Sequence, residues 1–577
     1  MPALPALPSR PHRSDLIAAV ILAATLLWAA LAGRRLWFFS DDWNIIAQFP
    51  SGDLLEPFNS HLSLVPIGIY QLLFHTVGLE SYLPYRIVGL AAYAVLGLMV
   101  WRYASRNLGA VAGAAALTLV LWNAAGVTNV MFPFLMNFSI PVAALAAAWW
   151  HLDRTSLRGE VAASVWLGVA LATSGLGLMV AAALGAELLW SRAPVRRWLI
   201  LAPGPVLWLI WYLAAGTSSP SSGGLRAVAI YAARMLIAGG NGLTGTAGVG
   251  GWLVCAALGA LLATCLGFGV LNGRIVGAFV APIVFAVLTA WSRLGVVPAI
   301  APDELRYRWT IGAFWVLAAA SMLHALHDHP RWEPIRERVQ VRVAAVVLVA
   351  GGAIAGAAVL VTTDVPEWVD TVEASVIGVR ANLWVAEQAG RDGTVERSRA
   401  LPVSYVRVEA GEYLDAVAEL GSPLVGFEAD AFSGSAESIV AANEAFIAQF
   451  DLGLDPVKVD PVKVESGDVN DGGATDGDEP VNWPPRGCRP SAVLIDGTHG
   501  ATVSVPFGAT ARVDADDAAV VALDLFSDGD RAAVIPRRSP GGDHDVVVKI
   551  PSLTRPEPIA DATISVDGHA AVTICVP

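Results

Sequence analysis

Hydrophobic residues along this chain come in long, almost uncharged runs, with neither strand-like alternation nor the narrow stripe of a surface helix. A helix needs about 20 apolar residues to cross the hydrocarbon of a bilayer with its backbone bonded internally. Eleven stretches meet or approach that requirement: 15–33, 83–101, 108–125, 132–151, 161–173, 176–190, 197–215, 249–270, 275–291, 308–325 and 341–362. The 161–190 run is interrupted only at Thr173-Ser174-Gly175 and reads as two short spans or one bent one.

Beyond residue 363 the pattern changes. Residues 364–454 mix helical runs, around 368–388 and 435–450, with a strand-like 403–408, and read as a small α/β or helical segment. Residues 455–487 hold a doubled Asp-Pro-Val-Lys-Val and a Gly/Asp run, the composition of a solvated linker. From 488 to 577, short apolar runs at 492–495, 501–505, 511–515, 519–526, 532–535, 545–550, 562–566 and 571–576 are separated by Gly, Asp and Pro. Eight such runs predict a β-sandwich or jelly roll. The expected fold is thus an α-helical polytopic membrane body of about 11 transmembrane helices over 1–363, followed by the 364–454 segment, the linker, and a β-sandwich module.

Charge sharpens this division. Up to Thr363 there are 22 Lys and Arg against 14 Asp and Glu; beyond it, 15 against 36, so a body of +8 carries a tail of −21. Such a tail repels phosphates and argues against a nucleic-acid partner. With the N-terminus inside, 14 arginines of the body fall in cytoplasmic loops (Arg102, Arg106, Arg154, Arg158, Arg192, Arg196, Arg197 and Arg274 among them) and eight fall outside. That bias, with an odd number of spans, predicts a multi-pass cell-membrane protein whose C-terminal domain is extracytoplasmic. Cys488 precedes the first predicted strand and Cys575 lies in the last, so a disulfide between them is expected in an oxidising compartment.

Candidate chemistry concentrates between the first two spans. Asp41 and Asp42 are adjacent, framed by Phe38, Phe39 and Trp43, a few residues past a membrane exit. Two carboxylates in an aromatic interfacial setting are costly unless paired or used, and their proximity raises one pKa, which suits a general base. The bland alternative is a solvated interfacial loop with a Trp/Phe belt. Arg34, Arg35, Arg86, Arg226, Arg234, Arg293, Arg306 and Arg308, the outside exceptions, read singly as snorkelling side chains and together as a place to hold anionic phosphate.

The stretch Phe39-Ser40-Asp41-Asp42-Trp43, then His61 and Pro66 before an amphipathic helix, Tyr85-Arg86 opening the second span, and a late Arg306-Tyr307-Arg308-Trp309 resembles the glycosyltransferase-C superfamily. The usual Pro soon after the late Arg-Tyr is absent. The resemblance implies an inverting, mannosyl- or arabinosyltransferase-like enzyme that uses a polyprenyl-phosphate sugar and an extracytoplasmic glycan, lipid or protein acceptor. It implies Asp41 as general base and Asp42 as a residue that orients the acceptor or holds a divalent metal ion. Arg86, Arg306 and Arg308 would take the donor phosphate, with His61, Trp43 and Tyr307 as candidate substrate contacts. The terminal sandwich is similar in kind to a carbohydrate-binding module. Two other readings stay open: a transporter or flippase of lipid-linked saccharides, and a non-catalytic wall-binding scaffold. The His324-Ala-Leu-His327-Asp328-His329 group has metal-like spacing but reads as a helix cap. Cys255 and Cys265 read as packing residues.

Overall fold

Within hydrocarbon a polypeptide must bond its own N–H and C=O groups, and in the computed structural model the uncharged runs are helices. The structure describes residues 13–216, 224–246, 248–294, 300–327, 329–331, 334, 351–391, 397–398, 400–401, 403 and 407–425, and eight strands between 489 and 576. The chain runs through α1 (Arg13–Ala32), α2 (Asp41–Gln48), α3 (Leu64–Val77), α4 (Leu83–Leu108), α5 (Ala110–Leu121), α6 (Val127–Met131), α7 (Met136–Leu152), α8 (Leu157–Thr173) and α9 (Gly177–Trp190). It continues through α10 (Val195–Leu201), α11 (Pro203–Ala215), α12 (Leu225–Thr244), α13 (Val249–Gly267), α14 (Gly273–Arg293) and α15 (Leu305–His327).

Six described helices are long and apolar enough to cross a membrane, or up to eight if two bent pairs count as one span each. The chain is a multi-pass membrane protein. Ten of the eleven predicted runs fall on helices, though α8 and α9 are short, and the run 341–362 lies partly outside the described residues. The run 108–125 is broken: α5 and α6 meet at 53°. Asn123 helps end α5, because its carboxamide oxygen accepts from Ala125 N at 2.9 Å and offers the backbone a local partner in place of the helical ladder. The run 197–215 is bent by 49° where Pro203 opens α11.

One helix was not expected. α12 carries Arg226, Arg234 and Asn241 and has no long apolar run, yet Val228, Tyr231, Ala232, Met235, Gly239 and Leu243 form a buried stripe at helical spacing against α13, α14 and α15.

Helices that are apolar all round belong in the centre, and α7 and α15 are there, with 83% and 78% of their span windows buried against 17% for α1. The α9–α14 contact depends on small residues one turn apart. A methyl group at Gly273 or Gly277 would meet the carbonyl oxygens of Glu187 and Ala183 at 2.6 and 2.5 Å.

Contacts sort the helix ends into two groups. At one end Trp28 packs on Trp122, Phe39 on Phe132, Phe58 on Phe134, and Asn123 between Gly242 and Gly312. At the other, Arg274 pairs with Asp153 and Glu187, Arg196 and Arg197 with Glu160, and His329 stacks on Phe268. Arg196, Arg197 and Arg274, three of the predicted cytoplasmic arginines, thus lie opposite the aspartate pair.

The chain forms two compact units, Met1–Glu373 and Ala374–Pro577. Helical residues 351–359 continue through a π turn at Leu360–Asp364 into α16 (Val365–Arg391), so the unit boundary falls inside a helix. In the second unit the expected strand 403–408 lies partly outside the described residues, and its Val408 stands in a two-residue antiparallel pair, β1 (Ala400–Leu401) with β2 (Val408–Glu409). An unexpected helix, α17 (Ala410–Leu420), follows at once, nucleated by a reciprocal capping box between Glu409 and Glu412. The predicted helix 435–450 lies outside the described residues. All eight predicted terminal strands are present, β3 (Arg489–Ile495), β4 (Ala501–Val505), β5 (Thr510–Ala515), β6 (Val520–Asp524), β7 (Ala533–Val534), β8 (Asp545–Lys549), β9 (Ala562–Asp567) and β10 (Ala570–Val576). They pair antiparallel as β3-β10-β5-β8 and β4-β9-β6-β7, the alternation of a jelly roll in which first and last strands are neighbours. Cys575 stands in register with Pro490; Cys488, and with it the expected disulfide, lies outside the described residues.

Candidate active site

The segment after α1 cannot stay helical, and the way it leaves the bundle sets the site. Arg86, from the first turns of α4, donates one guanidinium nitrogen to the carbonyl of Gly33 and another to that of Ala29 at 2.9 Å. It is the second donor to each of them, beside the Leu36 and Gly33 N–H groups, and so ties the end of α1 to α4. Seven residues on, Ser40 holds φ 54° and ψ −116°, a conformation natural to glycine and costly for serine, and α2 begins with Asp41. The two carboxylates thus occupy the first turn of a helix, where free N–H groups and the helix dipole favour negative charge.

Their environments differ. Asp42 is fully buried and its oxygens accept from Tyr70 Oη at 2.5 Å, Tyr82 Oη at 3.0 Å and Phe39 N at 3.0 Å. Burial pushes its carboxyl up to about 7; Asp41 adds to the rise and the three donors oppose it. Burial and the same carboxylate hold the Tyr70 and Tyr82 hydroxyls well above their ordinary value, so both remain donors. Around Asp42 stands an aromatic wall in which Phe38 meets Tyr82 at 4.8 Å and Tyr85 at 5.1 Å, and Trp43 meets Trp37 at 5.1 Å. Asp41 instead accepts from Asn59 Nδ2 at 3.3 Å. Asn59 and Ser60 both have positive φ in a tight hairpin turn closed by Phe58 and His61, which bond each other's backbones in both directions.

The sequence-predicted residues end up in different places. His61 packs on Gly175, in the break between α8 and α9, and burial together with the Arg293 charge lowers its pKa to about 4, so it is neutral at pH 7. Trp43 is a buried part of the aromatic wall. Arg86, expected to take the donor phosphate, donates here to the end of α1. Arg306, Tyr307 and Arg308 open α15 at the same end of the bundle, Arg306 lying 5.5 Å from the Tyr307 ring centre. Tyr307 Oη and Arg308 Nε are buried without hydrogen-bond partners among the described residues. The stretch around the start of α16 links the two halves of the site: Arg308 acts on the carboxyl of Asp364, Trp368 meets Phe39 at 6.1 Å, and Glu373 pairs with Arg35 at 3.5 Å.

Among the described residues no three His, Cys, Asp or Glu side chains stand together as a metal site, and both oxygens of Asp42 already accept hydrogen bonds. Sequence reasoning missed Tyr70, Tyr82 and Asn59, which hold the pair. It also missed Asn44, one helical turn from Asp41, whose buried carboxamide has no partner among the described residues.

Compared with protein families and with curated proteins, the chain has no match. Among solved structures it is similar to the crystal structure of ArnT from Cupriavidus metallidurans bound to undecaprenyl phosphate, with 19% identity and a TM-score of 0.38 over 74% of this chain and 81% of that one. For the same protein in the apo state the values are 21% and 0.37 over the same shares. A likeness at this level fixes neither a family nor an activity.

Proposed function

We propose that this chain is a membrane glycosyltransferase of the glycosyltransferase-C type, moving a sugar from a polyprenyl-phosphate donor to a hydroxyl of a cell-envelope glycan, lipid or protein at the extracytoplasmic face. The observation that carries the reading is the division of labour within the aspartate pair. Asp42 is locked by three donors and held toward its neutral form, while Asp41, beside it at a helix N-terminus, accepts from a turn amide. Of two adjacent carboxylates in such different surroundings, the one that is not locked is placed to act as base.

In the proposed reaction Asp41 takes the proton of the acceptor hydroxyl as its oxygen attacks the anomeric carbon. The bond from that carbon to the phosphate oxygen breaks, the electron pair leaves with the phosphate, and configuration inverts. Arg306 and Arg308 offset the charge that develops on the departing phosphate, and the unpartnered Arg308 Nε and Tyr307 Oη are donors available to that group.

The test is transfer from a panel of radiolabelled polyprenyl-phosphate sugars. Asp41→Asn keeps shape and removes basicity, so turnover should fall by about 10²–10⁴-fold with the thermal midpoint unchanged. Intact turnover in that variant would sink the assignment. Arg308→Ala should weaken donor saturation. If lipid-linked sugar binds and the native protein transfers from no donor of the panel, the chain binds such lipids without transferring from them.

A further inference from the structure

At the bundle end opposite the aspartate pair, side chains from two elements converge on Trp150, in the last turn of α7. The Arg154 guanidinium lies 3.9 Å from the centre of its ring and that of Arg102 5.1 Å, while Arg106 Nη1 donates to the Trp150 carbonyl at 3.2 Å. His151 meets the same ring edge-on at 4.6 Å. All three arginines are exposed. Like charges gathered this closely repel one another, and solvent relieves that only in part.

The neighbouring arginines show how this end of the molecule normally treats such charge. Arg274 is matched by Asp153 and Glu187, and Arg196 and Arg197 by Glu160. Arg102, Arg106 and Arg154 have no acidic partner among the described residues, which leaves three exposed guanidinium groups to take an anion. Its class follows from the setting. A Trp at the end of a transmembrane helix sits at headgroup depth, and guanidinium groups fork onto phosphate oxygens. Three residues beyond Arg154, Leu157, Val161 and Val165 begin an exposed apolar stripe along one face of α8, as acyl chains would require.

We propose that Trp150 with Arg102, Arg106 and Arg154 forms a binding site for the phosphate headgroup of an anionic phospholipid, its acyl chains lying along α8. This inference is independent of the reaction assigned to the aspartate pair.

The full-length protein, in neutral detergent doped with phosphatidylglycerol or phosphatidylcholine, is examined by native mass spectrometry for retained lipid and by thermal unfolding across a lipid titration. Phosphatidylglycerol should be retained and raise Tm, and phosphatidylcholine should do neither. Replacing all three arginines by Gln should weaken phosphatidylglycerol binding, by about fivefold for each arginine removed. The charge-matched control Arg158→Gln/Arg192→Gln/Arg331→Gln should bind as the native protein does. Equal losses in both variants would reduce the effect to diffuse charge and overturn the site. An equal Tm rise with free glycerol phosphate would overturn the lipid as ligand. Should the triple variant fail to fold, Arg154→Gln alone is titrated, and unchanged affinity there overturns the proposal.

Discussion

Asp42 is the residue whose environment is most at odds with its ordinary chemistry. Folding raises its pKa from the usual carboxylate range to about 7, so the folded state holds the proton more tightly than the unfolded chain. The stability this contributes is complete below about pH 4 and is lost as pH rises through 7; each unit of difference is worth about 1.4 kcal/mol. Asp42→Asn carries no such proton. Measured from pH 4 to 8, the native protein's Tm should fall relative to the variant's, and parallel curves would show that Asp42 is ionised in the fold. The adjacent acids were legible in the sequence because two charges beside Phe38, Phe39 and Trp43 violate the local apolar pattern. Tyr70 and Tyr82 were not: they lie 28 and 40 residues away, and a tyrosine in an apolar stretch reads as packing until its hydroxyl partner is known.

For the elements, the first outer segment depends on Arg86 more than on any cap of its own. A lysine there cannot reach both Gly33 and Ala29 with a planar fork, so Arg86→Lys should lower Tm and turnover together. A phosphate ligand would behave differently, with stability kept and donor saturation weakened; steady-state kinetics and a melting curve on the same preparation separate the two. Ten predicted spans lie on helices because a long uncharged run has a single solution in a bilayer. α12 escaped because Arg226 and Arg234 interrupt its apolar count, and only its amphipathic spacing, read against neighbours unknown from sequence, assigns it a place. The breaks at Asn123 and Pro203 were visible as residues but not as angles.

Across the whole molecule, the described arginines Arg102, Arg106, Arg154, Arg196, Arg197 and Arg274 lie at the end of the bundle opposite the aspartate pair. A reporter active only outside the cytoplasm, fused after Pro577, is expected to be active. Signal from a cytoplasm-only reporter at that position would invert the orientation and move the proposed chemistry to the wrong face. The eight terminal strands were readable because turn residues punctuate them at short intervals. Their order was not, since pairing β3 with β10 joins the two ends of the module, far apart in sequence.

The turn at Asn59-Ser60 gives the site a shelf life. An asparagine followed by a small hydroxyl residue, in an exposed hairpin, is prone to spontaneous loss of its amide, and the product aspartate tolerates the same left-handed backbone. The fold would survive while a neutral donor 3.3 Å from Asp41 became a carboxylate that repels it. Asn59→Asp, made deliberately, should therefore melt like the native protein and turn over poorly. Stored enzyme should drift toward that variant at a rate that peptide mapping can follow, one mass unit at a time.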